Sequence, residues 1–97
     1  MITFSDVKNY LNITYEDEDI NTKLSGILSR ADSHVRKVSA VKNENELTPD
    51  EEQLVLDCCR YIFNDAFEDF DRNFMPVING CRGARQVAEL ESDNNAG

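Results

Sequence analysis

The sequence contains no tryptophan, one histidine, two prolines, four glycines and three cysteines in 97 residues. Each scarcity closes off something. Three cysteines, an odd number, do not make a disulfide framework, and Cys58 and Cys59 are adjacent at apolar helix positions, where they read as small buried hydrophobes. A four-ligand metal site could be drawn from these two with Cys81 and His34. Adjacent helical cysteines diverge by about 100°, however, and the spacing fits no usual zinc pattern. A single histidine with no paired serine, cysteine or carboxylate motif gives no nucleophile–base couple, so His34 reads as an edge packing residue with a solvated tip. Gly-rich phosphate loops, H-E-x-x-H and a nucleophile elbow are all missing. We therefore expect neither an enzyme nor a bound cofactor or metal.

Basic charge is also scarce. Ten Lys and Arg face nineteen Asp and Glu, for a net charge of −9. Binding to a nucleic-acid backbone needs clustered cations that release counterions, and this composition disfavours it. No apolar run approaches the roughly 20 residues that span a bilayer, and no signal-peptide core is present, which predicts a soluble chain without a membrane partner. The length predicts one small core.

What the sequence does carry is helical periodicity. Residues 48–74 open with Thr48 as N-cap, Pro49 at the first helical position and Glu51 closing a capping box. Leu54, Val55, Cys58, Cys59, Ile62, Phe63, Ala66, Phe67 and Phe70 then recur on one broad face, with Asp57, Arg60 and Asn64 opposite. Met75-Pro76 is read as the stop, because a residue before proline is pushed out of the α region. The helix is predicted over 49–73. A short helix over 3–11 starts at Thr3 with Asp6 in the capping-box position and Ile2 stapling onto Val7. A third, over 18–39, buries Ile20, Leu24, Ile27, Leu28, Ala31, Val35 and Val38. Tyr15 to Asp19 is an acidic cluster, read as the acidic start of that helix rather than a cation loop, since no glycine or spaced glutamate completes such a loop.

The predicted fold is all-α: a short N-terminal helix, two long antiparallel helices, and a flexible C-terminal arm with room for a short helix. The domain division is 1–73 for the helical body and 74–97 for the arm and a disordered tail. The predicted core is Val7, Leu11, Leu24, Ile27, Leu28, Ala31, Val35, Leu54, Cys58, Ile62, Phe63 and Ala66. Asn79-Gly80 is a turn dipeptide and 86–91 could form a helical turn or two. Phe74, Val77 and Ile78 form an apolar patch that either docks a partner or folds back on the helix pair. Arg82 and Arg85 follow among glycines, and can pair with carboxylates. We expect Phe74, Val77, Ile78, Arg82 and Arg85 to make the contacts that build an assembly, becoming ordered on binding.

The order of parts resembles the small α-helical head–tail connector, or adaptor, proteins of tailed bacteriophages. The likeness rests on Ile2-Thr3, then Val7-Lys8-Asn9-Tyr10-Leu11-Asn12-Ile13, the acidic turn into Asp19-Ile20-Asn21-Thr22-Lys23-Leu24, and Leu47-Thr48-Pro49 introducing a helix that contains Tyr61. It covers roughly residues 2 to 64. Asn12 and Asn64 stand where such proteins often carry arginine. The resemblance implies a virion protein, at the head–tail interface and in the host cytoplasm during assembly. Copies would form a homo-oligomeric ring beneath the portal protein, extend the DNA channel and present a platform to a tail-completion or stopper protein. DNA would be met only as it passes through the channel. The alternative is a small acidic regulatory module, a DNA mimic or an inhibitor of a basic protein.

Overall fold

Three of the four helices end in the same way, and that repeated ending organises the chain. A computed structural model describes residues 2–14, 17–42 and 45–96, with side chains described through residue 90. Helix α1 spans Phe4–Tyr10, α2 Glu18–Val38 and α3 Pro49–Phe63; a 3₁₀ turn at Phe67–Asp69 leads into α4, Phe70–Ala96. Among the described residues there is no strand.

The starts follow from side-chain caps. Thr3 and Thr48 each accept from the backbone N–H three residues on, while Asp6 and Glu51 reach back to the threonine N–H, so α1 and α3 both open with a closed capping box. Asp17 caps α2, accepting from the Asp19 N–H at 2.8 Å, and Glu18 and Asp19 fill its first turn. The described part of the acidic cluster is therefore a helix start; Tyr15 and Glu16 lie outside the described residues.

The ends are Schellman motifs built without glycine. Asn12, Ala40 and Asp65 all take positive φ, at 59°, 60° and 57°. The next residue's N–H then closes back on the helix: Ile13 on Lys8 O at 2.9 Å, Val41 on Arg36 O at 2.8 Å and Ala66 on Tyr61 O at 2.8 Å. The residue that closes each motif is apolar. Val41 is buried, and Ile13 packs against the core.

This ending corrects the predicted 49–73 helix, which stops at Phe63. The Asn64 side chain caps it by donating Nδ2 to Arg60 O at 2.8 Å, Asp65 turns left-handed, and the chain restarts as α4. The predicted stop at Met75-Pro76 does not occur either, because Pro76 lies inside α4. Proline removes the N–H that Arg72 O would accept. Both residues sit at exposed positions, so water can take that carbonyl. Asn79-Gly80 is helical rather than a turn, and α4 runs on through the predicted tail to Ala96. The sequence boundary at 73/74 falls within this one helix.

Val7, Leu24, Ile27, Ala31, Val35, Leu54, Val55, Cys58, Cys59, Phe70 and Ile78 form one buried cluster. Of the predicted core, Leu11, Leu28, Ile62 and Phe63 are only partly buried and pack against it, and Ala66 is half-exposed. The fully buried aromatic is Phe70, contributed by α4. It touches Tyr61 edge-on at 5.7 Å and stacks with Phe74 at 4.9 Å. Asp57, assigned to the polar face, is instead buried, and it accepts from the hydroxyl of Tyr10 on α1. The helices extend the molecule to 53 × 25 × 16 Å. Its radius of gyration of 14.9 Å exceeds the ~12.5 Å of a compact chain of this length. α4 alone accounts for roughly 40 Å of length.

Candidate interaction surface

The first turn of α3 does two jobs at once. Glu51 Oε1 accepts the Thr48 N–H at 2.8 Å as half of the capping box, which turns its carboxylate toward α4. There Arg85 donates Nε to Oε2 at 2.9 Å and Nη2 to Oε1 at 2.6 Å. The same Nη2 donates to Glu46 O at 2.7 Å. Only 1 % of the Glu51 side chain is exposed. Burial pushes the Glu51 carboxyl up, but the Arg85 guanidinium and the Thr48 N–H together outweigh it and hold the group below its ordinary value. Beside this pair a cleft of about 430 Å³ opens between α3 and α4, lined by Thr48, Asp50, Val77, Cys81 and Ala84 among others.

The five residues predicted to build an assembly are split by the structure. Phe70, Phe74, Ile78, Cys81 and Arg85 fall 4, 4, 3 and 4 apart, one stripe of a helix, and that stripe faces the chain's own body. Ile78 is 3 % exposed, Phe74 stacks on Phe70 and meets Tyr61 edge-on at 5.5 Å, and Arg85 is held by Glu51. Val77 is 47 % exposed and Arg82 is exposed. Residues 74–85 therefore run as part of a docked helix, and do not leave the body as an extended arm. The outward face of α4 carries a second apolar group that the sequence reading passed over, Val87 and Leu90, 54 % and 64 % exposed. Arg82, four residues after Ile78, flanks the inward stripe at an exposed position.

A larger groove, about 860 Å³, lies on the other elements. Ile2, Phe4, Leu28 and Leu47 give it apolar walls, and Asp32, Glu46 and Glu52 an acidic margin. Arg36 also lines it, donating to Asp32 at 2.9 Å and to the carbonyls of Asn45 and Lys42, which ties this connection to α2. Phe4 stands 39 % exposed within it.

Several other titratable groups are tied into the framework. Asp57 and Gln53 share the hydroxyl of Tyr10; the bond to Asp57, with burial, raises the phenol. His34 Nε2 lies 2.6 Å from Asp71 Oδ1, joining α2 to the start of α4, with its ring edge-on to Phe67 at 4.8 Å. Burial pushes the Cys58 and Cys59 thiols up to about 12, which keeps them as protonated packing groups. Among the described residues no three His, Cys, Asp or Glu side chains gather as a metal site, and no helix is long and apolar enough to cross a membrane. Two apolar surfaces stand out among the described residues: Val87 and Leu90 on the outward face of α4, and the groove walled by Ile2, Phe4, Leu28 and Leu47, whose margin carries Asp32, Glu46, Glu52 and Arg36.

No protein-family model, curated protein or solved structure matches this chain.

Proposed function

We propose that this chain is a structural adaptor of a tailed-bacteriophage virion, a head–tail connector subunit whose copies ring the channel between portal and tail. The observation that carries this reading is where the ordered motif falls on the fold. Ile2-Thr3 leads into α1 and Leu47-Thr48-Pro49 into α3, each through a closed capping box. Ile20 and Leu24, the pair after the acidic turn, lie on the face of α2 that meets the core. The residues that carry the resemblance are thus the ones that set the helix frame. In this reading α2 and α3 form the antiparallel pair at the heart of the subunit.

Charge and shape support the same reading. A body with nineteen acidic and ten basic side chains repels DNA, so acidic residues turned to a channel would let the duplex slide without sticking. The exposed patch on α4 supplies a surface for neighbours and for the portal protein, with a tail-completion or stopper protein docking beyond. The test is co-sedimentation with portal particles from the genome that encodes the chain. Binding at a fixed ratio of copies per portal supports the adaptor. Binding to a basic, DNA-binding protein with no binding to portal would overturn it in favour of an acidic inhibitor.

A further inference from the structure

Helix α4 folds back along α3 through a turn that no glycine or proline enforces. Asn73 Nδ2 donates to the Tyr61 hydroxyl at 3.0 Å and Arg85 meets Glu51 at 2.6 Å, so α3 and α4 pair as an antiparallel hairpin. The turn is residues 64–69. Asp65 stands at φ 57°, in the left-handed region that is costly for a residue with a Cβ. A 3₁₀ turn replaces α-helix at Phe67–Asp69. Yet between Pro49 and Pro76 the chain has neither glycine nor proline. Ile62, Phe63, Ala66, Phe67 and Phe70 carry the apolar rhythm of α3 straight across the bend. The same residues therefore suit two backbones, a hairpin and a single straight helix.

We propose that α4 is an exchangeable element: residues 64–69 straighten, and the α4 of one copy seats on α2 and α3 of a second copy, which returns its own. What selects the occupant is identity, because the seat is already shaped for α4. Phe70 and Ile78 are buried in it, Asp71 lies 2.6 Å from His34, Asn73 bonds Tyr61, and Arg85 is held by Glu51 and Glu46 O. Those polar partners all precede the bend, so a second copy presents the same set in the same places. Straightening makes one helix of 49–96, roughly 72 Å long, and carries α4 out of reach of its own seat. The emptied seat exposes the surfaces that Phe70 and Ile78 had covered. The α4 of another copy covers them again, with no new complementary surface required. Short turns under backbone strain favour such an exchange.

The balance between the two forms is set by the bend and by concentration. Exchange re-makes the contacts of α4 and replaces the left-handed residue and the 3₁₀ turn with α-helical backbone. Against it stand the entropy of joining two chains and the repulsion of two copies that each carry −9, which salt screens. Interchange requires Phe70 to leave its buried position, so it is slow in the folded chain and readiest during refolding. Reciprocal exchange gives a twofold dimer. It needs only a second copy and does not rest on the portal reading.

The experiment is sedimentation velocity on the full chain, refolded from urea at physiological ionic strength over micromolar to millimolar concentrations. Asn64→Ala with Asp65→Ala favours the straight helix, since alanine is the best helix former and the Asn64 cap is gone. Asp65→Gly favours the bend, since glycine takes positive φ freely and is poor in a helix interior. Both positions are exposed. Wild type should show dimer at the upper end of the range. The double-alanine variant should raise the dimer association constant about tenfold or more, two bends being relieved per dimer, and Asp65→Gly should lower it by a similar factor. Wild type that stays monomeric when refolded at millimolar concentration, or bend variants that associate like wild type, would overturn the exchange. A second readout reports whose α4 fills each seat. Arg85→Glu sets like charges together within one chain, and so does Glu51→Arg, whereas an exchanged heterodimer of the two joins Glu to Arg in both seats. The two variants refolded together should give a dimer containing one copy of each, which neither forms alone. A mixture that stays monomeric, when circular dichroism shows each variant folded, would also overturn the exchange; where either variant alone does not fold, the bend series decides.

Discussion

Arg85, in the middle of α4, holds both carboxylate oxygens of Glu51, in the first turn of α3, at 2.9 and 2.6 Å. Among the described residues of α4 the pair lies beyond the last buried apolar one, Ile78, and fixes the helix where apolar packing gives out. The nearby Lys42–Glu89 pair, at 3.4 Å with both side chains more than half exposed, adds little.

Replacing Arg85 with alanine would leave a buried carboxylate without its cation. Removal of one partner from a buried pair costs ~3–5 kcal/mol. We expect about 3 kcal/mol, the lower end of that range, since a fifth of the Arg85 side chain is in solvent and water can reach the vacated space. Urea unfolding monitored by circular dichroism measures this. An unchanged midpoint would show that the pair does not anchor α4.

Acid should weaken the same anchor. The folded-state pKa of Glu51 is held below its ordinary value, so the unfolded chain binds a proton first as pH falls. The stabilisation is fully present above the ordinary glutamate pKa, about 4.3, and is lost as pH drops through the lower folded value. Glu51→Gln should be less stable than wild type at pH 7, and the difference should shrink on acidification. Urea midpoints of both proteins, followed from neutral to acid pH, provide the check.

Ala40 ends α2 at φ 60°, a conformation that costs an L residue with a Cβ roughly 1–2 kcal/mol. Glycine carries no such cost but loses more backbone entropy on folding, ~0.5–1 kcal/mol. Ala40→Gly should therefore stabilise the fold by about 0.5–1 kcal/mol. This would appear as a rise in Tm with the same cooperativity.

The two aromatic positions separate the observed core from the one read off the sequence. Phe70 is fully buried, and Phe70→Ala should cost ~3–5 kcal/mol. Phe63 is only half-buried, with the Lys23 ammonium 5.2 Å from its ring centre, so Phe63→Ala should cost clearly less. Equal losses in the two variants would contradict this assignment of the core.

The helix starts were legible because threonine, acidic and proline signals sit at fixed offsets: Thr3–Asp6 and Thr48–Pro49–Glu51 gave α1 and α3 their first turns. The helix ends were not. The Schellman motif that stops α3 uses Asp65 where glycine is the usual signal, so an unbroken apolar rhythm from Leu54 to Phe70 hid a change of helix. Pro76 and Asn79-Gly80 then masked the continuation. The 70–74–78–81–85 stripe was present in the sequence, but residues typed as breakers lay on the exposed side of it. The consequence for the site is direct. Ile78 and Arg85, read as parts of a free arm, are what pin α4 to the body, while Val87 and Leu90 remain exposed on its outward face. Glu51 was read only as a capping-box residue and Asp57 as a polar-face residue, because nothing local in a sequence announces that a distant arginine or tyrosine will cover them.

The measurement that bears most directly on the adaptor reading is electron microscopy of this protein mixed with the portal protein encoded in the same genome. The reading predicts class averages in which copies of the chain form a closed ring on one end of the portal, coaxial with it and leaving the central channel open. Portal particles of unchanged outline, with the chain remaining free in solution, would contradict it.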